Sequence, residues 1–130
     1  GGNEDSNEAE KICLLSENQR LINLAGELNL NMSAAVVRKA KVVITHDTGL
    51  MHIAAAFKKR IISIWGNTIP GFGMYPYRPG ENSYISEVKG LSCRPCSKIG
   101  FRKCPKSHFR CMTDQDIQKI ISIAMEKGEI

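Results

Sequence analysis

The run Val42-Val43-Ile44-Thr45-His46-Asp47-Thr48-Gly49-Leu50-Met51-His52-Ile53-Ala54-Ala55-Ala56 constrains this chain more than any other segment. Val42 to Thr45 is β-branched throughout and short, the pattern of one buried strand. It stops at Asp47-Thr48-Gly49, and an alanine-rich, helix-forming stretch follows at once. A strand that turns directly into a helix places the first backbone N–H groups of that helix at the strand's carboxyl end. Those groups lack partners within the helix, and the helix dipole adds partial positive charge there. Such a turn suits a phosphate, and Gly49 lets the backbone approach it.

The rest of the chain repeats this alternation. Lys58 to Arg60 lead into Ile61-Ile62-Ser63-Ile64-Trp65, a second strand, which ends in the loop Gly66-Asn67-Thr68-Ile69-Pro70-Gly71. A short third strand is expected within 82–88, after an irregular stretch over 71–82 rich in Gly, Pro and Tyr. Upstream, 5–17 reads as an amphipathic helix with acidic residues near its start, sharing Ile12, Cys13 and Leu15 on one face. Arg20 to Leu24 reads as a short strand. Gly26, Asn29 and Asn31 mark a loop, and Ser33 is the expected N-cap of a helix over 34–40. A last helix is expected over about 114–127, capped by Thr113 or Asp114, with Ile117, Ile120, Ile121 and Ala124 as its buried stripe. Alternating strands and helices imply an α/β fold, Rossmann-like, with helices on both faces of a parallel sheet. Ligands of such sheets sit at the carboxyl ends of the strands, where both loops lie.

With 130 residues and 42% hydrophobic content, the chain has enough material for one domain with a real core. No apolar stretch is long enough to cross a bilayer and none resembles a signal peptide, so a cytoplasmic protein is expected. The opening Gly1-Gly2-Asn3-Glu4-Asp5 reads like a loop that follows an absent strand, as in a fragment of a larger protein. The net charge of +5 is concentrated: Lys89, Arg94, Lys98, Arg102, Lys103, Lys106 and Arg110 fall in a segment with no acidic residue. One reading is a solvated surface; the other is a contact for a phosphorylated ligand or an anionic membrane face. Nucleic acid is not expected, because Phe101 and Phe109 are the only aromatic residues interleaved there.

The same segment holds four of the five cysteines, Cys93-x2-Cys96-x7-Cys104-x6-Cys111, with His108 among them. Four thiolates, or three with His108, suit a structural zinc ion that pins a loop with little core of its own. Free thiols and disulfides are the alternatives. Cys13, far away on an apolar helix face, reads as packing.

Taken together, Asp47 to Ala56, the following strand, Gly66 to Pro70 and Ser92-Cys93-Arg94-Pro95-Cys96 resemble the ADP-heptose:lipopolysaccharide heptosyltransferases. Asp-Thr-Gly also occurs in aspartic proteases, but in an all-β setting without a helix directly after it. The resemblance covers most of the chain. It implies the carboxyl-terminal, donor-binding half of a GT-B glycosyltransferase, one domain over 1–130 with a Cys-rich basic loop at 89–112. It also implies a nucleotide-sugar donor (ADP-heptose) and a lipopolysaccharide core acceptor bound by another domain, which would also supply the general base. No catalytic residue is therefore expected within this chain, and no cofactor is needed for transfer. In such a reaction negative charge grows on the leaving diphosphate, and preorganised N–H donors and basic side chains stabilise it.

By this resemblance Thr48, Gly49 and Leu50 offer backbone N–H groups to the diphosphate, with the Thr48 hydroxyl as a further donor. Asp47 accepts from a sugar hydroxyl, or simply caps the helix. His52, one turn on, donates to a phosphate or sugar oxygen, or is a packed histidine. Gly66, Asn67 and Thr68 line the neighbouring loop. Glu4 or Asp5 takes the ribose hydroxyls, and Met32 and Ser33 stand where the family contacts adenine. Two rival readings remain: another GT-B enzyme such as a nucleotide-sugar epimerase, and a zinc-stabilised module whose basic loop binds an anionic partner.

Overall fold

The computed structural model describes residues 1–16, 18 and 20–126. The chain divides into two compact units, Gly1–Val36 and Val37–Ile130.

The first unit holds a 3-10 turn (Asn3–Asp5), helix α1 (Ser6–Ser16) and the start of helix α2 (Leu30–Lys39). None of the described residues of α1 is buried within the chain, and Leu15 is 83% exposed. The strand expected over Arg20–Leu24 is instead irregular. Side chains outcompete a ladder here: Asn18 Oδ1 accepts from the Arg20 N–H and Asn23 Oδ1 from the Ala25 N–H. Ser6 Oγ donates to the Ala25 carbonyl and ties the turn back to α1. Helix α2 begins three residues before Ser33, because Asn29 Oδ1 accepts from the Met32 N–H at 2.9 Å and so performs the cap. Ser33 and Asn31 therefore lie inside the helix.

The second unit is built on a parallel three-stranded sheet in the order β1 (Val42–His46), β2 (Arg60–Trp65), β3 (Tyr84–Glu87). Helix α3 (Gly49–Ala56) connects β1 to β2. The alternation along β2 sends Ile61 and Trp65 to one face, where they pack with Met51, Ala54 and Ala55 of α3. It sends Ile62 to the other face, against Ile120 and Ile123 of helix α5 (Ile117–Met125). The result is the expected three-layer α/β/α arrangement. The buried strand is β2 rather than β1: Ile44 is 51% exposed, since among the described residues β1 has a partner on one side only.

A short helix α4 (Arg110–Thr113) precedes α5 and takes up Thr113, so the cap of α5 is Asp116, whose Oδ1 accepts from the Lys119 N–H. This offset turns the helix. Ile120 and Ile123 are buried, whereas the expected Ile117 and Ile121 are exposed and Ala124 packs at the margin. Lys127 lies outside the described residues.

Candidate functional site

At the carboxyl ends of β1 and β2 the second unit forms a cavity of about 390 Å3 that is partly open to solvent. One wall comes from the strand ends: His46, Asp47, Ile64, Gly66, Asn67 and Thr68. Of the residues expected to bind a ligand, Asp47, Gly66, Asn67 and Thr68 are thus brought together. Thr68 is buried and its hydroxyl donates to Asp47 Oδ2 at 3.3 Å, which orients the carboxylate across the gap between the two loops.

The cap of α3 is Thr48, not Asp47, and its backbone is extended. The Thr48 hydroxyl lies 3.2 Å from that of Thr45 and makes no capping bond. Asp47 therefore does not cap α3; its Oδ2 accepts from the Thr68 hydroxyl instead. The Met51 N–H turns back to the Thr48 carbonyl, while Gly49 and Leu50 form the first turn of α3. A Cβ on Gly49 would meet nothing within 4 Å, so the space over the helix start is open. Thr48, Gly49 and Leu50 adjoin the cavity in sequence without lining it, and His52 is exposed rather than packed.

In the first unit, Asp5 Oδ2 already accepts from the Gly2 N–H at 3.0 Å, while Glu4 is exposed. Met32 is 49% exposed on α2 and Ser33 is half-buried.

The second wall of the cavity was not expected. Ile99, Phe101, Arg102, Phe109 and Met112, all from the Cys-rich segment and the start of α4, complete it. The segment is fastened to the loop after β2 by Arg94, whose side chain is 6% exposed. Its guanidinium donates to the carbonyls of Gly66 at 2.6 Å, Thr68 at 3.0 Å and Val88 at 3.2 Å, and pairs with Glu87 at 2.8 Å. Arg94 is therefore a structural clamp and no part of a solvated basic face. Arg110 is also engaged, with Asp114 at 2.7 Å, which draws the Asp114 carboxyl below its ordinary value.

Among the described residues no three His, Cys, Asp or Glu side chains stand so that they could hold a metal ion. Burial, with the Cys93 and Cys104 thiols nearby, raises the Cys96 thiol above its ordinary value, and burial raises Cys111 likewise. Cys104 goes the other way, drawn down by the Phe109 backbone N–H and, less strongly, by those of Lys106, His108 and Ser107. His108 Nδ1 accepts from the Arg110 N–H at 3.0 Å, and its Nε2 lies 3.6 Å from Cys93 Sγ. Cys93, Cys96, Cys104 and Cys111 thus lie near one another in and beside the loop.

Residues 1–106 match the family model described as glycosyltransferase family 9 (heptosyltransferase). The chain belongs to this family. Lipooligosaccharide heptosyltransferase 2 of Campylobacter jejuni is 29% identical over 111 residues, which cover 85% of this chain and 33% of the relative. Lipopolysaccharide heptosyltransferase 2 of Escherichia coli K12 is 38% identical over 50 residues, 38% of this chain and 14% of that one. The solved structure of E. coli ADP-heptose lps heptosyltransferase II superposes with a TM-score of 0.55 at 23% identity, over 76% of this chain and 32% of that one, and shares the fold. This family-9 chain thus spans about a third of the length of the Campylobacter relative.

Proposed function

We propose that this family-9 chain is the donor-binding part of a heptosyltransferase, which takes heptose from ADP-heptose and passes it to a lipopolysaccharide core acceptor. The observation that carries the reading is the cavity at the carboxyl ends of two parallel strands, with Asp47 held by Thr68 beside the open start of α3. A diphosphate accepts at the Gly49 and Leu50 N–H groups and the Thr48 hydroxyl, where helix polarity favours negative charge. A carboxylate repels that phosphate and accepts from hydroxyls, so Asp47 faces the sugar. His52, exposed one turn into α3, is the further donor to a phosphate or sugar oxygen. The acceptor and the base that deprotonates it belong to the other half of such an enzyme. On this reading the protein works in the cytoplasm; among the described residues no helix is long and apolar enough to cross a membrane.

The test is calorimetric titration of the protein at full length with ADP and ADP-heptose, beside Gly49→Asp. The new side chain enters open space, so the fold is retained, and its carboxylate stands where the diphosphate would. Binding to the parent that the variant abolishes is the expected result. No binding of either compound to the parent would end the proposal.

A further inference from the structure

The second wall of the cavity holds a cation that the reading above does not use. Arg102 lines the cavity together with Asp47 and Thr68, is exposed, and makes no ion pair among the described residues. Its neighbours in the basic cluster differ: Arg94 is consumed as a clamp and Arg110 is paired with Asp114. We propose that Arg102 binds the diphosphate of the sugar nucleotide, so that the Cys-rich segment supplies the cationic side of the donor pocket. This rests on the donor-binding reading and adds to it a residue that lies about fifty positions from the Asp-Thr-Gly turn.

The placement of Arg102 is built from backbone contacts. The Cys96 N–H donates to the Asn67 carbonyl at 2.9 Å, and Asn67 Nδ2 donates to the Phe101 carbonyl at 2.7 Å. Gly100 lies between them with φ +78°, its carbonyl held by Ser97 Oγ at 3.0 Å. A Cβ there would stand 2.5 Å from Asn67 Oδ1, so only glycine allows this approach. Asn67, a residue of the first wall, therefore grips the chain on both sides of the turn and fixes the residue that follows Phe101. The turn brings a guanidinium into a cavity whose other charged group is the Asp47 carboxylate.

A ligand that meets both charges needs an anionic part and a hydroxyl-rich part. A nucleoside diphosphate sugar has both: its hydroxyls donate to Asp47 and its phosphate oxygens accept from Arg102. The planar guanidinium offers paired donors to phosphate, which an ammonium does not match. Phe101 and Phe109 line the same wall as Arg102.

The experiment measures ADP binding by calorimetry in the protein at full length, for the parent, Arg102→Ala, Arg102→Lys, Lys103→Ala and Gly49→Asp. Arg102→Ala is expected to raise the Kd for ADP by about tenfold to a hundredfold, the range for one lost charge-assisted hydrogen bond. Arg102→Lys is expected to recover part of it. Lys103→Ala, which removes the same charge one residue away and outside the cavity wall, leaves the Kd within about twofold. An Arg102→Ala protein that binds ADP like the parent overturns the proposal, and so does an equal loss in Lys103→Ala. If Gly49→Asp abolishes binding while Arg102→Ala does not, the donor-binding reading stands and this inference alone fails.

Discussion

Replacing Arg94 by Met is the sharpest probe of how the pocket is held. The side chain is 6% exposed and its partner Glu87 21% exposed, so neither charge is well hydrated. The substitution keeps the length and apolar stem but removes the guanidinium. It leaves the Glu87 carboxylate unpaired and takes the donor from the carbonyls of Gly66, Thr68 and Val88. Breaking one side of a buried ion pair costs about 3–5 kcal/mol, mainly through the charge left behind. Water reaches Glu87 in part, which points to the lower end, about 3 kcal/mol. For a small protein with a urea dependence of about 1.5 kcal/mol per molar, the midpoint then falls by about 2 M at an unchanged slope. Circular dichroism in urea is a suitable assay. Glu87→Gln added to Arg94→Met should recover stability, because the stranded charge is gone; on its own Glu87→Gln should destabilise. That reversal of sign is the signature of the pair. A midpoint change worth under 1 kcal/mol for Arg94→Met, or no recovery in the double variant, would refute the clamp.

Gln115 is buried and links three elements: its Nε2 donates to the carbonyls of Trp65 and Cys111, and its Oε1 accepts from the buried Ser86 hydroxyl at 2.7 Å. Gln115→Leu is expected to cost about 2–3 kcal/mol by thermal or urea unfolding, because polar groups are left unpaired; a neutral result would mean they find other partners. The Arg110 hydrogen bond lowers the Asp114 carboxyl, so its contribution is complete above the ordinary aspartate value and is lost as pH falls through the lower native one. Asp114→Asn should therefore be less stable than the parent at neutral pH, with the gap closing in acid. A gap independent of pH would argue against the ion pair.

Much of the second unit was legible because apolar pattern and chain geometry agree there. Ile61, Ile62 and Trp65 read as a strand and are fully buried in one, and the step from β1 into α3 lies where Asp47-Thr48-Gly49 put it. Misreadings arose where one polar side chain decided the outcome. Asn18 and Asn23 turned an apolar run away from strand, Asn29 took the cap from Ser33, and Asp116 moved the start of α5. Arg94 shows a deeper limit. A run of basic residues looks like a solvated face, yet this one points inward, and nothing local distinguishes it from Arg102. The second wall of the cavity was hidden for the same reason, since Asn67 and Phe101 meet across a separation of 34 residues. One signal was available: Gly100 followed by Phe101 and Arg102 is a turn that delivers an aromatic and a guanidinium together.

Trp65 is the only tryptophan of the chain, and it is fully buried with its indole N–H held by the Ser63 hydroxyl at 3.0 Å. The molecule thereby has a built-in optical probe. In this buried, hydrogen-bonded site the indole emits at shorter wavelength than in water, and all of the tryptophan signal comes from one environment. Its backbone carbonyl accepts from Gln115, and the next residue, Gly66, opens the loop that Arg94 clamps. Unfolding of the sheet and disturbance of that loop can thus both be followed by intrinsic fluorescence, with no label attached near the cavity.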